Sequence, residues 1–265
     1  MEKTMIQDQA RQTVQDLARH LWQAAQGGPP VDPAAADRLD GLDLAYAVES
    51  ATRDLALAAG DRVIGYKIGL TSQPARDAFG ADRPAAGHLL AGRLLEDGRP
   101  LTTAGLFAPM AEVEIAFVLG EALSGTDVTV QDVHRATAAV APALEIVDSR
   151  WRGGARTLPM LVADNTNAAR AVLGPRVTPP ADLSRITATL RTGSRTVPGS
   201  ATAVMGDPAA AVAWLAGHLW RRGMRLEAGD IVLSGTLCAP TAIGAGDRLV
   251  ADLGELGRVA VDVTS

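Results

Sequence analysis

The sequence predicts an α+β fold, and three observations carry that prediction. Two segments near the N-terminus repeat apolar residues at helical spacing. From Arg62 onward the texture changes to short apolar runs bounded by Gly, Pro and Asp. Those runs do not alternate strictly with helices, which argues against a doubly wound sheet. With 265 residues, 47% of them hydrophobic, the chain can bury a substantial core. We divide it into a helical N-terminal segment, 1–60, packed on a β-rich core, 61–265.

In chain order, Ala10, Val14, Leu17, Leu21 and Trp22 mark a helix over Ile6–Gln26, which Gly27-Gly28-Pro29-Pro30 ends. Leu44, Val48, Ala51 and Leu55 mark a second over Asp43–Ala59, stopped by Gly60-Asp61. Strands are expected at Val63–Leu70, Met110–Leu119, Ala141–Val147, Ile186–Arg191, Asp230–Ser234, Arg248–Asp252 and Val259–Val263. Two helices interrupt them, at Val130–Ala139 and at Pro208–Arg222, where Ala211, Leu215 and Leu219 are in register. Ala-Gly-Asp opens an apolar run at both 228 and 245, which reads as shared turn chemistry rather than a repeat.

Composition removes several classes of function. The formal net charge is −5 and no basic stripe appears, so no nucleic-acid partner is expected. Nine scattered aromatics are too few for a base-stacking platform. No apolar run approaches the roughly 18 residues of a membrane span, and Met1–Met5 lacks a signal-peptide core. Cys238 is the only cysteine, which excludes an internal disulfide and a cysteine-based zinc site. A cytoplasmic protein acting on small molecules or on another protein is the expectation. No Walker, dinucleotide, zincin or serine-elbow motif occurs, and the four histidines define no triad.

The remaining signals lie in four places. Lysine occurs only at Lys3 and Lys67, and asparagine only at Asn165 and Asn167, in a chain dominated by Ala, Arg and Gly. Lys67 shares a strand face with Gly65 and Gly69, whose missing side chains leave room for a ligand beside the ammonium. Arginine would keep the charge but cannot deprotonate, so lysine as such is wanted; a snorkelling strand lysine is the plain alternative. Glu112 and Glu114 point the same way, about 6–7 Å apart along one strand. Glu145 sits inside a second apolar run. Three such carboxylates suit a hard divalent cation, whereas Glu-x-Glu alone also fits a solvent-facing strand. Asp164-Asn165-Thr166-Asn167 offers a ligand contact, an Asx-turn, or a cap for Ala168–Leu173. Ser234-Gly235-Thr236 ends a strand in small residues, suited to gripping a carboxylate or simply to turning.

Together these residues resemble a known family. The runs Gly65-Tyr66-Lys67-Ile68-Gly69-Leu70-Thr71-Ser72, Ala111-Glu112-Val113-Glu114-Ile115-Ala116-Phe117-Val118 and Pro142-Ala143-Leu144-Glu145-Ile146-Val147-Asp148-Ser149-Arg150 come first. Val162-Ala163-Asp164-Asn165 and Ser234-Gly235-Thr236 follow. That order is similar to the 2-keto-4-pentenoate hydratases and 4-oxalocrotonate decarboxylases of the fumarylacetoacetate hydrolase superfamily. The resemblance runs from about Leu44 to the C-terminus. It implies a mixed β-sandwich roll core with peripheral helices, a homo-oligomer, and one Mg²⁺ or Mn²⁺ per subunit. It maps the metal carboxylates onto Glu112, Glu114 and Glu145 and the active-site lysine onto Lys67. Ser72, Asn165 and Thr236 are the expected substrate contacts.

One departure stands out. Hydratases of this family carry an Asp in a Pro-Asp-Phe-Gly segment, where this chain reads Pro84-Ala85-Ala86-Gly87. Decarboxylases also tend to lack that Asp, whereas the Ser234–Pro240 segment looks more like a hydratase. His88 is either a replacement acid/base or a passive neighbour. The expected activity is a metal-dependent hydratase acting on an enolised 2-hydroxydienoate. The alternatives are a 2-oxo acid decarboxylase and a divergent member, either a tautomerase or natural-product enzyme or a non-catalytic binding module. A partner enzyme of the same family is a further expectation.

Overall fold

The computed structural model describes residues 2–265, with side chains from Asp8 onward; Lys3 lies outside the described side chains. The N-terminal periodicity becomes two helices, α1 (Glu2–Ala25) and α2 (Gly41–Ala58), which pack against each other. Their apolar stripes, Leu17, Leu21, Ala45 and Val48, close on Trp151 and Met160 of the β-rich part. Short helices α3 (Gln73–Phe79), α4 (Val130–Ala136) and α5 (Leu158–Ala163) and the longer α6 (Pro208–Arg221) follow. Every one of these four starts at a Ser, Thr or Asp cap whose side chain accepts a backbone N–H.

The strands are β1 (Val63–Gly69), β2 (Ala85–Leu90), β3 (Leu94–Glu96), β4 (Leu101–Thr102) and β5 (Met110–Leu119). Next come β6 (Thr137–Val147), β7 (Ala168–Leu173), β8 (Thr187–Thr192) and β9 (Arg195–Ser200). The last are β10 (Ile231–Leu233), β11 (Thr241–Ala242), β12 (Arg248–Asp252) and β13 (Arg258–Thr264). They form a mixed eight-stranded sheet, ordered β2-β1-β10-β5-β6-β7-β3 with β11 on β5, and a five-stranded sheet, ordered β4-β13-β12-β8-β9.

The large sheet curls until β2 touches β7, making an open barrel. Its outer face (Val113, Ile115, Phe117, Leu144, Ile146, Val232) packs on Leu190, Leu249 and Val261 of the small sheet and on α4 and α6. Its inner face is paved with small residues: Ala116, Ala141, Ala143 and Ala171. That paving leaves room inside for charged side chains.

Two local expectations give way to pairing. The helix expected over Val130–Ala139 ends at Ala136, because Thr137 turns extended and joins β6 opposite Leu119. Ala168–Leu173, considered as a capped helix, is β7, held between β6 and β3. Its Ala-rich sequence favours helix locally, and two ladders of hydrogen bonds outweigh that preference.

Candidate active site

Strand alternation builds the site. Glu112 on β5 lies opposite Glu145 on β6, with Glu114 one pleat further along, and all three point to the inner face. Lys67 reaches the same interior from β1, opposite Gly87 of β2 and Leu233 of β10. One carboxylate oxygen from each glutamate lies within 4.8 Å of the others. Glu114 and Glu145 are fully buried and Glu112 partly so. The Lys67 ammonium is 3.2 Å from Glu145 Oε2 and donates a hydrogen bond to Thr166 O at 3.0 Å.

Three buried carboxylates face one ammonium here, and the charges show it. Burial pushes Glu112 up to about 7 against the pull of Lys67. Burial, with Glu145 and Glu112 alongside, raises Glu114 well above the usual carboxylate range. Burial disfavours the Lys67 ammonium, but Glu145, Glu112 and Glu114 outweigh it and raise its pKa. Gly235 N–H donates to Glu114 Oε2 at 2.7 Å, yet Glu114 Oε1 and Glu145 Oε1 have no donor and Glu145 Oε2 has only the Lys67 ammonium of its ion pair. Buried carboxylate oxygens without donors are costly. A divalent cation with a preference for oxygen ligands removes that cost, so the donor set fits one.

Glycines make the space. A Cβ on Gly69 would lie 2.4 Å from Thr166 Cγ2, and one on Gly87 would lie 2.7 Å from Asn165 O. The turn 165–167 therefore seats directly over β1 and β2. Asn165, Thr166 and Asn167 all have positive φ, at 50°, 51° and 60°. Asparagine tolerates this region, but a β-branched threonine there is strained. Thr166 is held in place because its Oγ1 donates to Ala86 O and its carbonyl accepts from Lys67.

The other expected site residues divide. Thr236 follows Gly235, half-buried, with its hydroxyl donating to Cys238 O at 2.8 Å. Ser72 caps α3, its Oγ accepting from Ala75 N. Asn165 spends its side chain on the main chain of His88, accepting from the N–H at 2.8 Å and donating to the carbonyl at 3.0 Å. His88 pairs with Tyr66 in the ladder, so its ring lies on the opposite face from Lys67. There its Nδ1 meets Glu49 Oε1 at 2.5 Å. The structure therefore does not bring His88 to the carboxylates, and it is no substitute for the carboxylate missing at Ala85. Ala85 itself lies opposite Gly69, on the Lys67 face.

Two features of the turn escape motif reading. Asn167 Oδ1 is buried without a partner, whereas its neighbour Asn165 is fully used. The scarcity of asparagine pointed to both, but not to which one is free. Thr166 acts through its carbonyl, which no side-chain pattern reveals. Behind the turn, Arg150 binds Asp164 through Nε at 2.5 Å and through its own N–H at 2.7 Å, while Ser149 Oγ adds a third donor. Burial raises Asp164 to about 6 even so, against the pull of Arg150. Asp148 accepts from Phe107 N and Ala108 N.

Comparison with known proteins gives the family and the fold. Residues 94–264 match the family described as fumarylacetoacetate (FAA) hydrolase C-terminal. The chain is 36% identical over 260 residues to a 2-hydroxyhexa-2,4-dienoate hydratase of Comamonas testosteroni, covering 96% of this chain and 98% of that protein. It is 37% identical over 257 residues to a 2-keto-4-pentenoate hydratase of Burkholderia vietnamiensis, covering 95% and 98%. A 4-oxalocrotonate decarboxylase from Pseudomonas putida G7, complexed with magnesium and adipate, superposes with a TM-score of 0.92 at 28% identity, covering 96% and 98%. The chain belongs to the fumarylacetoacetate hydrolase family, in the branch that holds the 2-keto-4-pentenoate hydratases and 4-oxalocrotonate decarboxylases.

Proposed function

We propose that this protein is a divalent-metal-dependent hydro-lyase that adds water to an enolised 2-hydroxydienoate, giving a 4-hydroxy-2-oxo acid. The observation that carries this reading is the trio Glu112, Glu114 and Glu145, with oxygens left without donors beside Lys67. A Mg²⁺ or Mn²⁺ ion held by the trio supplies Lewis-acid stabilisation of negative charge on substrate oxygens.

The chain's own residues do the rest. Lys67, fixed by Thr166 O, holds charge on the 2-oxygen and moves a proton there during dienol–ketone exchange. In the 234–237 turn, the amides of Ser234, Gly235 and Leu237 donate inside the protein and the Thr236 hydroxyl donates to Cys238 O, which leaves the Thr236 N–H to bind the C1 carboxylate. Asn167 Oδ1 is the unpaired acceptor beside the same turn that holds Lys67. Ser72, Asn165 and His88 serve as scaffold. Residues 1–60 act as a helical segment docked on the 61–265 core. No described helix is long and apolar enough to cross a membrane, which fits a cytoplasmic enzyme. A homo-oligomer, with a partner enzyme of the same family, completes the reading.

Decarboxylation is the second reading, favoured by Ala85: no carboxylate stands on the Lys67 face opposite Gly69. The two separate in one experiment. With Mg²⁺, 2-hydroxypenta-2,4-dienoate should lose its ultraviolet absorbance without CO₂ release. Decay only of 4-oxalocrotonate, with CO₂ evolved, would replace hydration by decarboxylation. Neither substrate reacting would remove both.

A further inference from the structure

A second polar cluster lies outside the metal site, at the seam where β2 meets β7. Here α1 and α2 roof a cavity of about 60 Å³ lined by Arg93, Arg150 and Arg170 together with Leu21, Trp22 and Leu89. Such a space holds about four water-sized positions. The turn that carries Thr166, whose carbonyl holds Lys67, borders it through Asn165 and the preceding Asp164.

The three guanidinium groups are not equivalent. Arg150 is saturated by Asp164 and by the carbonyls of Asp148, Asp164 and Ala168. Arg93 makes one hydrogen bond, to Ala25 O, and Arg170 one, to Ala169 O, each at 2.8 Å. Among the described residues neither forms an ion pair, and each keeps most of its five donors. No nearby acid is paired with either of them. Asp164 is taken by Arg150, both oxygens of Asp148 accept from Phe107 N and Ala108 N, and Asp61 Oδ1 accepts from Arg62 N and Gly92 N. Burial, with Arg93 and Arg150 adding to it, brings Arg170 down to about 10, so it stays charged at neutral pH. Like charges gathered at a half-buried cavity are stable when an anion joins them.

We propose that this seam cavity binds a small monocarboxylate with a short apolar tail, its carboxylate taken by Arg93 and Arg170 and its tail laid against Leu21, Trp22 and Leu89. Inorganic phosphate satisfies the same forks, but it would press an unpaired oxygen against that apolar wall. The assignment is independent of the metal chemistry proposed above.

The test uses the full chain stripped of metal, at constant ionic strength, with the melting temperature as readout. Propionate exchanged for chloride should raise Tm saturably, acetate and phosphate should do so less, and uncharged propionamide not at all. In the Arg93→Met, Arg170→Met double variant the propionate dissociation constant should weaken roughly tenfold or more. An unchanged constant would overturn the assignment, as would propionamide matching propionate. Phosphate binding as tightly as propionate would overturn the apolar part. If the double variant does not fold, Arg170→Gln alone decides it in the same way. Glu114→Gln, which lies outside the cavity, should respond like the parent; loss of the response there would overturn the seam as the binding place.

Discussion

Two buried charge clusters sit within one turn of each other and are built on opposite terms. Around Arg150, charges of both signs meet: the guanidinium and Asp164 satisfy each other, with Ser149 and main-chain groups filling the remaining valences. Around Glu145, three acids meet one base, and one oxygen each of Glu114 and Glu145 has no donor at all. A satisfied cluster is scaffold; an unsatisfied one is held open for something not made of protein. Both flank the turn 165–167, so the scaffold fixes what the open cluster uses.

Breaking each side in turn sharpens that contrast. The largest effect is expected from Glu114→Gln. It should lower kcat/KM by on the order of 10³-fold, because one of the three proposed metal ligands and its share of charge stabilisation are lost. Yet stability without metal should hold or rise, since a repelling charge is gone. A calorimetric titration with Mg²⁺ and a melt of the metal-free variant read the two halves. A destabilised metal-free variant would mean the cluster is scaffold after all.

Arg150→Met attacks the satisfied side and should behave oppositely. Stranding Asp164 in the interior should cost about 3–5 kcal/mol of stability, measured by urea unfolding. An effect on activity without loss of stability would erase the distinction. Asn165→Ala is milder: it strands the His88 N–H and carbonyl and should cost about 1–3 kcal/mol. If Asn165 instead binds substrate, KM rises and stability barely moves.

The smallest effect concerns pH. Burial, aided by Arg222 and Arg221, brings His218 down to about 4, and its ring stacks on Trp214. A histidine whose folded pKa is lowered holds the fold best when neutral, so stability is lost as pH falls from about 6.5 towards 4. His218→Phe keeps the stack and should flatten that acid limb. An unchanged slope would place the acid sensitivity elsewhere.

Much of the site was legible because it lies on strands. Alternation alone put Glu112 and Glu114 on one face, and Lys67 with Gly65 and Gly69 on another, and pairing did not disturb either. What failed was local. Ala168–Leu173 reads as helix by propensity and is strand by neighbour. His88 lies near Ala85 in sequence, but successive strand residues face opposite sides, and three positions on is the wrong parity for the Lys67 face.

The sequence by itself determined which residues can carry the chemistry: three carboxylates in apolar runs, one lysine between glycines, and asparagine confined to one turn. Side-chain type and strand parity are written in the chain. Only the tertiary structure decided which groups meet and which remain unpaired. The curl of the sheet brings Lys67 on β1 to Glu145 on β6 across the intervening β10 and β5, Arg150 consumes Asp164, and His88 consumes Asn165. Hydrogen-bond satisfaction depends on partners distant in sequence, so the difference between Asn165 and Asn167 appears only once the chain is folded.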